Sequence, residues 1–315
     1  MDGADLDLFD RSLQAATSTN TGAALDAALD DVGWLDALAV DERAAVSLLF
    51  ARQGEACATS SSLSRLLAFA LGLDPAAAVA LLPAIGSTTP PGSLDRDHVV
   101  VNGLAHAAII DASRVVVVAT DGESTTAATV APADLDVRAV HGIDPTGELV
   151  ELSGRAAVID RVTVDWAPAL ALVQVAIGHE LVSASRKMLA LAREHALERE
   201  QFGQPIAMFQ AVRHRLAEAF IAIETADAGL LAAWEDRSPT TAAMAKALAG
   251  RGARVAAKHC QQVLAGIGFT DEHDFHLYLR RALVLDQLCG ASKSLTRALG
   301  DDVLETRRLP ALLPL

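Results

Sequence analysis

The chain has 315 residues, 51% of them apolar and only 4% aromatic, and a formal charge of −14. That length leaves room for two or three packed units rather than one compact domain, and the acidic balance excludes nucleic acid as a natural partner, because phosphates need a basic face. The acidic start MDGADLDLFDRSLQ lacks the apolar core of a secretory signal, and three scattered cysteines suggest neither a disulfide framework nor a zinc site, so a reducing cytoplasm is the expected compartment.

Residues 1–86 read as helical. Leu6, Phe9, Leu13, Leu25, Leu29, Trp34 and Leu35 recur at roughly helical spacing, as do Ala45, Leu48 and Leu49. The apolar stretch 66–85 is interrupted by Asp74, Pro75 and Pro83, too soon for a membrane helix of ~20 residues. Residues 87–165 open on the breaker cluster GSTTPPGSLDRD and continue as short β-branched runs at 99–101, 107–110, 115–119, 127–130, 137–140 and 162–164. Turns are expected at Asp121-Gly122, at 144–147 and at Ser153-Gly154, so the region predicts a small antiparallel sheet or barrel. Residues 166–315 return to helix, with expected spans of 168–198, 204–234, 239–264 and 276–299. Ser238-Pro239 is the start signal of the third, and Gly250 and Gly252 each weaken it by ~1 kcal/mol relative to alanine. The expected fold class is mainly α with a small β domain, ending in an up-and-down four-helix bundle.

Two segments carry chemistry. Residues 192–218 read AREHALEREQFGQPIAMFQAVRHRLAE, and residues 264–282 read LAGIGFTDEHDFHLYLRRA. Both resemble the acyl-CoA dehydrogenase family, which carries R-x-Q-F-G-x-P-I-x-x-F-Q and G-G-x-G-F-T-x-E-H-x-x-H-L-Y-x-R-R in this order. The order helix, β region, helix bundle also fits that family's plan. The resemblance implies FAD as cofactor, with Arg199 reaching the pyrophosphate of a flavin held mainly by a neighbouring subunit. A guanidinium suits that role because its planar donors pair with phosphate oxygens. Gln201 and Phe202 match flavin neighbours, Gln262 matches a glutamine near the adenosine portion, and Gly266 matches a close backbone approach. The plain alternative is that Arg199 only caps its helix near the negative end.

The sequence departs from the family pattern at the base. The Y-E-G-[ST] glutamate, which would remove the proton next to the thioester, falls on Cys289, and the following threonine on Ala291. A thiol of pKa ~8.5 is a poor substitute for a carboxylate. The alternative glutamate position on the first bundle helix falls near Val173, two turns from Glu180. The E-P-x-x-G-S-D segment beside the flavin ring is reduced to LLPAIGSTTPPGSLD. These losses resemble the glutamate-lacking subunit of the α2β2 acyl-CoA dehydrogenases of actinobacterial steroid catabolism. They imply a full-length partner subunit carrying the base, a bulky acyl-CoA substrate and an electron-transfer flavoprotein as acceptor. Rival expectations are a flavin-free scaffold and an independently active enzyme with an unlocated base. Asp271, Glu272, His273, Asp274 and His276 resemble metal ligands, but no common zinc spacing fits. His179-Glu180 lacks the second histidine of a zinc helix, and no histidine follows Cys289 to activate it as a nucleophile.

Overall fold

A computed structural model describes residues 1, 3–122 and 124–308. Five helices open the chain: α1 (Gly3–Thr19), α2 (Ala23–Val32), α3 (Trp34–Val40), α4 (Glu42–Ala56) and α5 (Ser62–Ala70). Asp41 caps α4 by accepting from Ala44 N at 3.1 Å. Gly54 of α4 lies so close to α6 that a Cβ there would overlap the Glu180 carbonyl, so this glycine sets the approach of the two helices.

Nine strands follow in one sheet: β1 (Val79–Ala80), β2 (Leu82–Pro83), β3 (Gly92–Asp95), β4 (His98–His106), β5 (Val115–Asp121), β6 (Ser124–Val130), β7 (Asp136–Ala139), β8 (Leu149–Ala157) and β9 (Asp160–Thr163). The order is β7-β8-β4-β3-β5-β6-β9, with β1 beside β5 and β2 beside β4. Among the described residues, only the β1–β5 and β3–β5 pairs are parallel. Leu82, Leu104, Val116 and Val118 pack into the helical core, whereas Leu81, Val99, Val101 and Val117 form the sheet's own core. The alternation is the period-2 signature of a sheet buried on both sides.

The bundle comprises α6 (Trp166–Glu198), the small hairpin β10 (Glu200–Gln201) and β11 (Gln204–Pro205), then α7 (Gln210–Asp236), α8 (Pro239–Leu264), α9 (Phe275–Gln287) and α10 (Ser292–Thr306). By length and composition α6 could cross a membrane, but 72% of its most apolar window is buried in protein. It is the central helix, and its apolarity reflects contact with α4, α7, α8 and α9.

Several expectations are corrected. Strands begin at Val79, ahead of position 87, because the run around Leu81 and Leu82 pairs with β4 and β5. Residues Ala107–Asp111 form a 3-10 turn instead of a strand. Ser153 and Gly154 are not a turn: they sit inside β8, opposite Asn102 and Val101. The second bundle helix starts at Gln210, since residues 200–209 form the hairpin and a 3-10 turn. The expected helix 276–299 is two helices. Cys289 (φ 54°) and Gly290 (φ 105°) take left-handed backbone and break it.

Candidate functional site

Helices α6 and α7 are antiparallel neighbours, as are α7 and α8, so the 199–209 connection and the segment after α8 fall at the same end of the bundle. There Arg199 is the C-cap of α6, its N–H bonded to His195 O at 2.8 Å. Its side chain is exposed and has no hydrogen-bond or ion-pair partner among the described residues. Phe202 sits at the hairpin tip with φ 57° and is 93% exposed. It is braced edge-to-face by Phe209, with centroids 6.1 Å apart. Gln201 is folded back, its Nε2 donating to Glu200 O at 2.8 Å, so reaching a cofactor requires breaking that bond. Gln262, in the last turn of α8, and Gly266, just after it, are exposed, and a Cβ at Gly266 would meet nothing within 4 Å. His195 ties the two motifs together: its pKa is lowered by burial, then by His273 and Arg199. The end of α6 and the segment before α9 are therefore close in space.

The acidic-histidine segment serves α9. Asp271 pairs with Arg280 at 3.0 Å and lies 3.5 Å from His276, and His273 Nδ1 accepts from Phe275 N. Among the described residues no group of three or more His, Cys, Asp or Glu converges as metal ligands.

The position of the missing base lies elsewhere. Cys289 is fully buried, and burial pushes its thiol up to about 12. Gln174 Nε2 donates to its carbonyl at 2.9 Å. Lys246, also fully buried, donates to Asp286 O at 3.1 Å and Gly290 O at 3.3 Å and pins the α9–α10 break. Burial lowers Lys246 to about 8. The 81–95 stretch meets this break, since Gly86 N donates to Gln287 O at 2.9 Å.

Between them is a cavity of about 40 Å³ bordered by Leu82, His106, Glu180, Arg281 and Leu288. It has room for about one or two waters, at about 30 Å³ each, and falls far short of the roughly 150 Å³ that admits a single aromatic ring. Charge fills the junction. Arg281 Nε lies 3.1 Å from Asp144 Oδ2, with both side chains almost wholly buried. The pair lacks hydrogen-bond geometry, leaving Arg281 Nε and Nη2 with unmet donors. Glu180 is raised to about 7, chiefly by burial and against the pull of Arg281. Helix counting separates Glu180 from the expected base positions, yet the fold brings it to the cavity that Leu288, the neighbour of Cys289, also lines. The ring of a flavin does not fit this space, whereas Arg199 and Phe202 stand exposed where α6 ends.

Residues 169–304 match the family described as acyl-CoA dehydrogenase, C-terminal domain. Acyl-CoA dehydrogenase IpdE2 of Mycobacterium tuberculosis is 33% identical over 214 residues, covering 68% of this chain and 62% of that protein. Acyl-CoA dehydrogenase FadE34 of the same organism is 41% identical over 128 residues, or 38% of this chain and 18% of its own length. The chain therefore spans less than two thirds of these curated relatives. In fold it is similar to the ChsE4–ChsE5 complex from M. tuberculosis, with TM-score 0.79, 22% identity and 98% of both chains covered. It is likewise similar to the Tcur3481–Tcur3483 steroid ACAD G363A variant, with TM-score 0.78, 19% identity and 97% and 99% coverage.

Proposed function

Since the chain belongs to the acyl-CoA dehydrogenase family, we propose that it is the base-lacking subunit of a heteromeric, FAD-dependent acyl-CoA dehydrogenase acting in the cytoplasm. The partner is a full-length subunit of the same family that carries the glutamate. The substrate is a bulky acyl-CoA, steroid-derived in the favoured case, converted to its 2,3-enoyl form, with electrons passing to an electron-transfer flavoprotein. When bound, the flavin supplies the hydride acceptor. In this reading Arg199 pairs with pyrophosphate oxygens, Phe202 covers an edge of the cofactor against water, and Gly266 admits close backbone approach.

The observation that carries the reading is the contrast between two places. The interior position of the base is a buried thiol beside a cavity with room for a water or two. The motif residues Arg199 and Phe202 are instead exposed, and the Arg199 side chain has no hydrogen-bond or ion-pair partner among the described residues. A charge-assisted pair to phosphate contributes roughly 1.5–3 kcal/mol. Arg199→Ala should then reduce flavin retention by the co-expressed complex about tenfold or more, at 1.4 kcal/mol per decade. Arg199→Lys should recover part of it, because an ammonium lacks the planar fork. Flavin absorbance after gel filtration reads this. Wild-type flavin content in Arg199→Ala would leave the arginine as a helix cap only, and a flavin-free complex would favour the scaffold role.

One observation favours a second reading, an independently active enzyme: Glu180 has a carboxyl raised to about 7 at the same cavity, within the range useful to a general base. Turnover by the isolated chain that Glu180→Gln abolishes would establish it.

A further inference from the structure

A second cavity, of about 200 Å³, opens at the other end of the bundle, where the first turns of α6 meet the end of α7 and the starts of α4 and α8. Pro168, Ala171, Leu172 and Val175 recur at i, i+3, i+4 and i+7 and line one wall. The facing wall is Trp234, and that ring is held in place. Its Nε1 donates to His179 Nε2 at 2.9 Å, and Ser47 Oγ lies 3.2 Å from the same nitrogen. Burial lowers His179 to about 4, so the imidazole stays a neutral acceptor at neutral pH and the indole orientation persists. The pocket is thus preformed, as ligand sites usually are.

The mouth carries a guanidinium. Arg237 Cζ sits 5.7 Å from the Trp234 ring centroid, within cation–π range. Its Nη2 pairs with Glu42 Oε1 at 3.1 Å, and the arginine side chain is 61% exposed. Glu42 is partly buried, at 28% exposure, so the pair contributes modestly, and Glu42, in the first turn of α4, keeps a favourable helix terminus if Arg237 turns away. Arg237 can therefore turn from Glu42, which borders the same pocket, to an incoming anion at modest cost.

From this geometry we propose a ligand site for a small carboxylate with a compact apolar body, of the class of a single aromatic or alicyclic ring. A dry cavity of about 150 Å³ admits benzene, so this one has room for one ring, with its carboxylate at Arg237 and its face beside Trp234. The inference goes beyond the proposed dehydrogenase role: the site shares no residue with the cofactor edge or with the cavity beside Cys289.

The test uses the full chain and three probes of nearly the same shape: benzoate, benzyl alcohol and benzylamine. Binding is followed by saturation-transfer NMR on the probe and by tryptophan fluorescence. Benzoate should bind saturably and at least tenfold more tightly than benzyl alcohol, with benzylamine weakest. Arg237→Gln, at an exposed position, should bring benzoate to within about twofold of the alcohol. Ala171→Leu and, from the opposite helix, Ala242→Leu should abolish binding of all three by filling the cavity. A preference for benzylamine, equal binding of benzoate and the alcohol to the wild-type chain, or benzoate affinity unchanged by Arg237→Gln would overturn the assignment. The probe comparison on wild-type protein stands even if a filling variant fails to fold.

Discussion

Replacing Cys289 by glutamate restores the residue type of the family's base, yet the structure argues that it does not restore a base. The cysteine is 0% exposed in a packed turn with positive φ. Adding the longer side chain to a filled core costs about 1–3 kcal/mol from overpacking alone. The introduced carboxylate would also face Lys246, whose ammonium uses two of its three donors on Asp286 O and Gly290 O. The remaining donor is the natural partner of a carboxylate. That pairing would hold the new group ionised and raise Lys246 from about 8, leaving an ion pair where catalysis needs an available base. At roughly 2–4 °C per kcal/mol for a chain somewhat smaller than this one, the melting temperature should drop by several degrees. The isolated variant should show no acyl-CoA-dependent reduction of an artificial electron acceptor. Melting curves and that assay, run on the same preparation, check both parts. Turnover by the lone Cys289→Glu chain would refute the closed-cavity argument, since substrate and cofactor would then have found room beside residue 289.

Gly250→Ala sets helix propensity against packing. In an exposed helix the change would gain about 1 kcal/mol. Here a Cβ would overlap the Asp286 carboxylate and lie 2.9 Å from Ser292 Cβ. Because buried Asp286 holds Arg254 and Ser292 N, urea unfolding should show a net loss of about 2 kcal/mol or more. Gly266→Ala, with open space around it, should leave the chain's stability unchanged within about 0.5 kcal/mol while weakening flavin retention by the complex. Glu180 has a folded pKa of about 7 against an ordinary 4.5. The folded state therefore binds its proton more tightly, and the stability this adds is full below pH 4.5 and lost as pH rises through 7. The span corresponds to about 3 kcal/mol at 1.36 kcal/mol per unit. Glu180→Gln should consequently stabilise the chain more at pH 8 than at pH 5, and an equal effect at both pH values would count against the buried carboxyl.

The helices of the bundle were legible in the sequence because their signals are local. Ser238-Pro239 announced α8 at its observed start, and the expected span 168–198 lies within α6. The motif carrying Arg199 and Phe202 falls between two bundle helices, as its spacing implies, and both residues are exposed there. What escaped local reading depends on partners far away in the chain. Ser153-Gly154 reads as a turn until β4 is alongside to continue the ladder through it. Residues 276–299 read as one helix, because no pattern within that segment announces Lys246, 40 residues earlier, binding the carbonyls at its break. Glu180 looked misplaced by helix counting, and only the packing of α4, β4 and α9 around α6 puts it in the same cavity as Leu288. The Trp234–His179 contact and the pocket beside it likewise join residues that carry no shared motif. Helix spans and motif spacing depend on neighbouring residues and can be read along the chain. The small interior cavity, the shifted ionisations and the second pocket arise from burial and packing between segments distant in sequence.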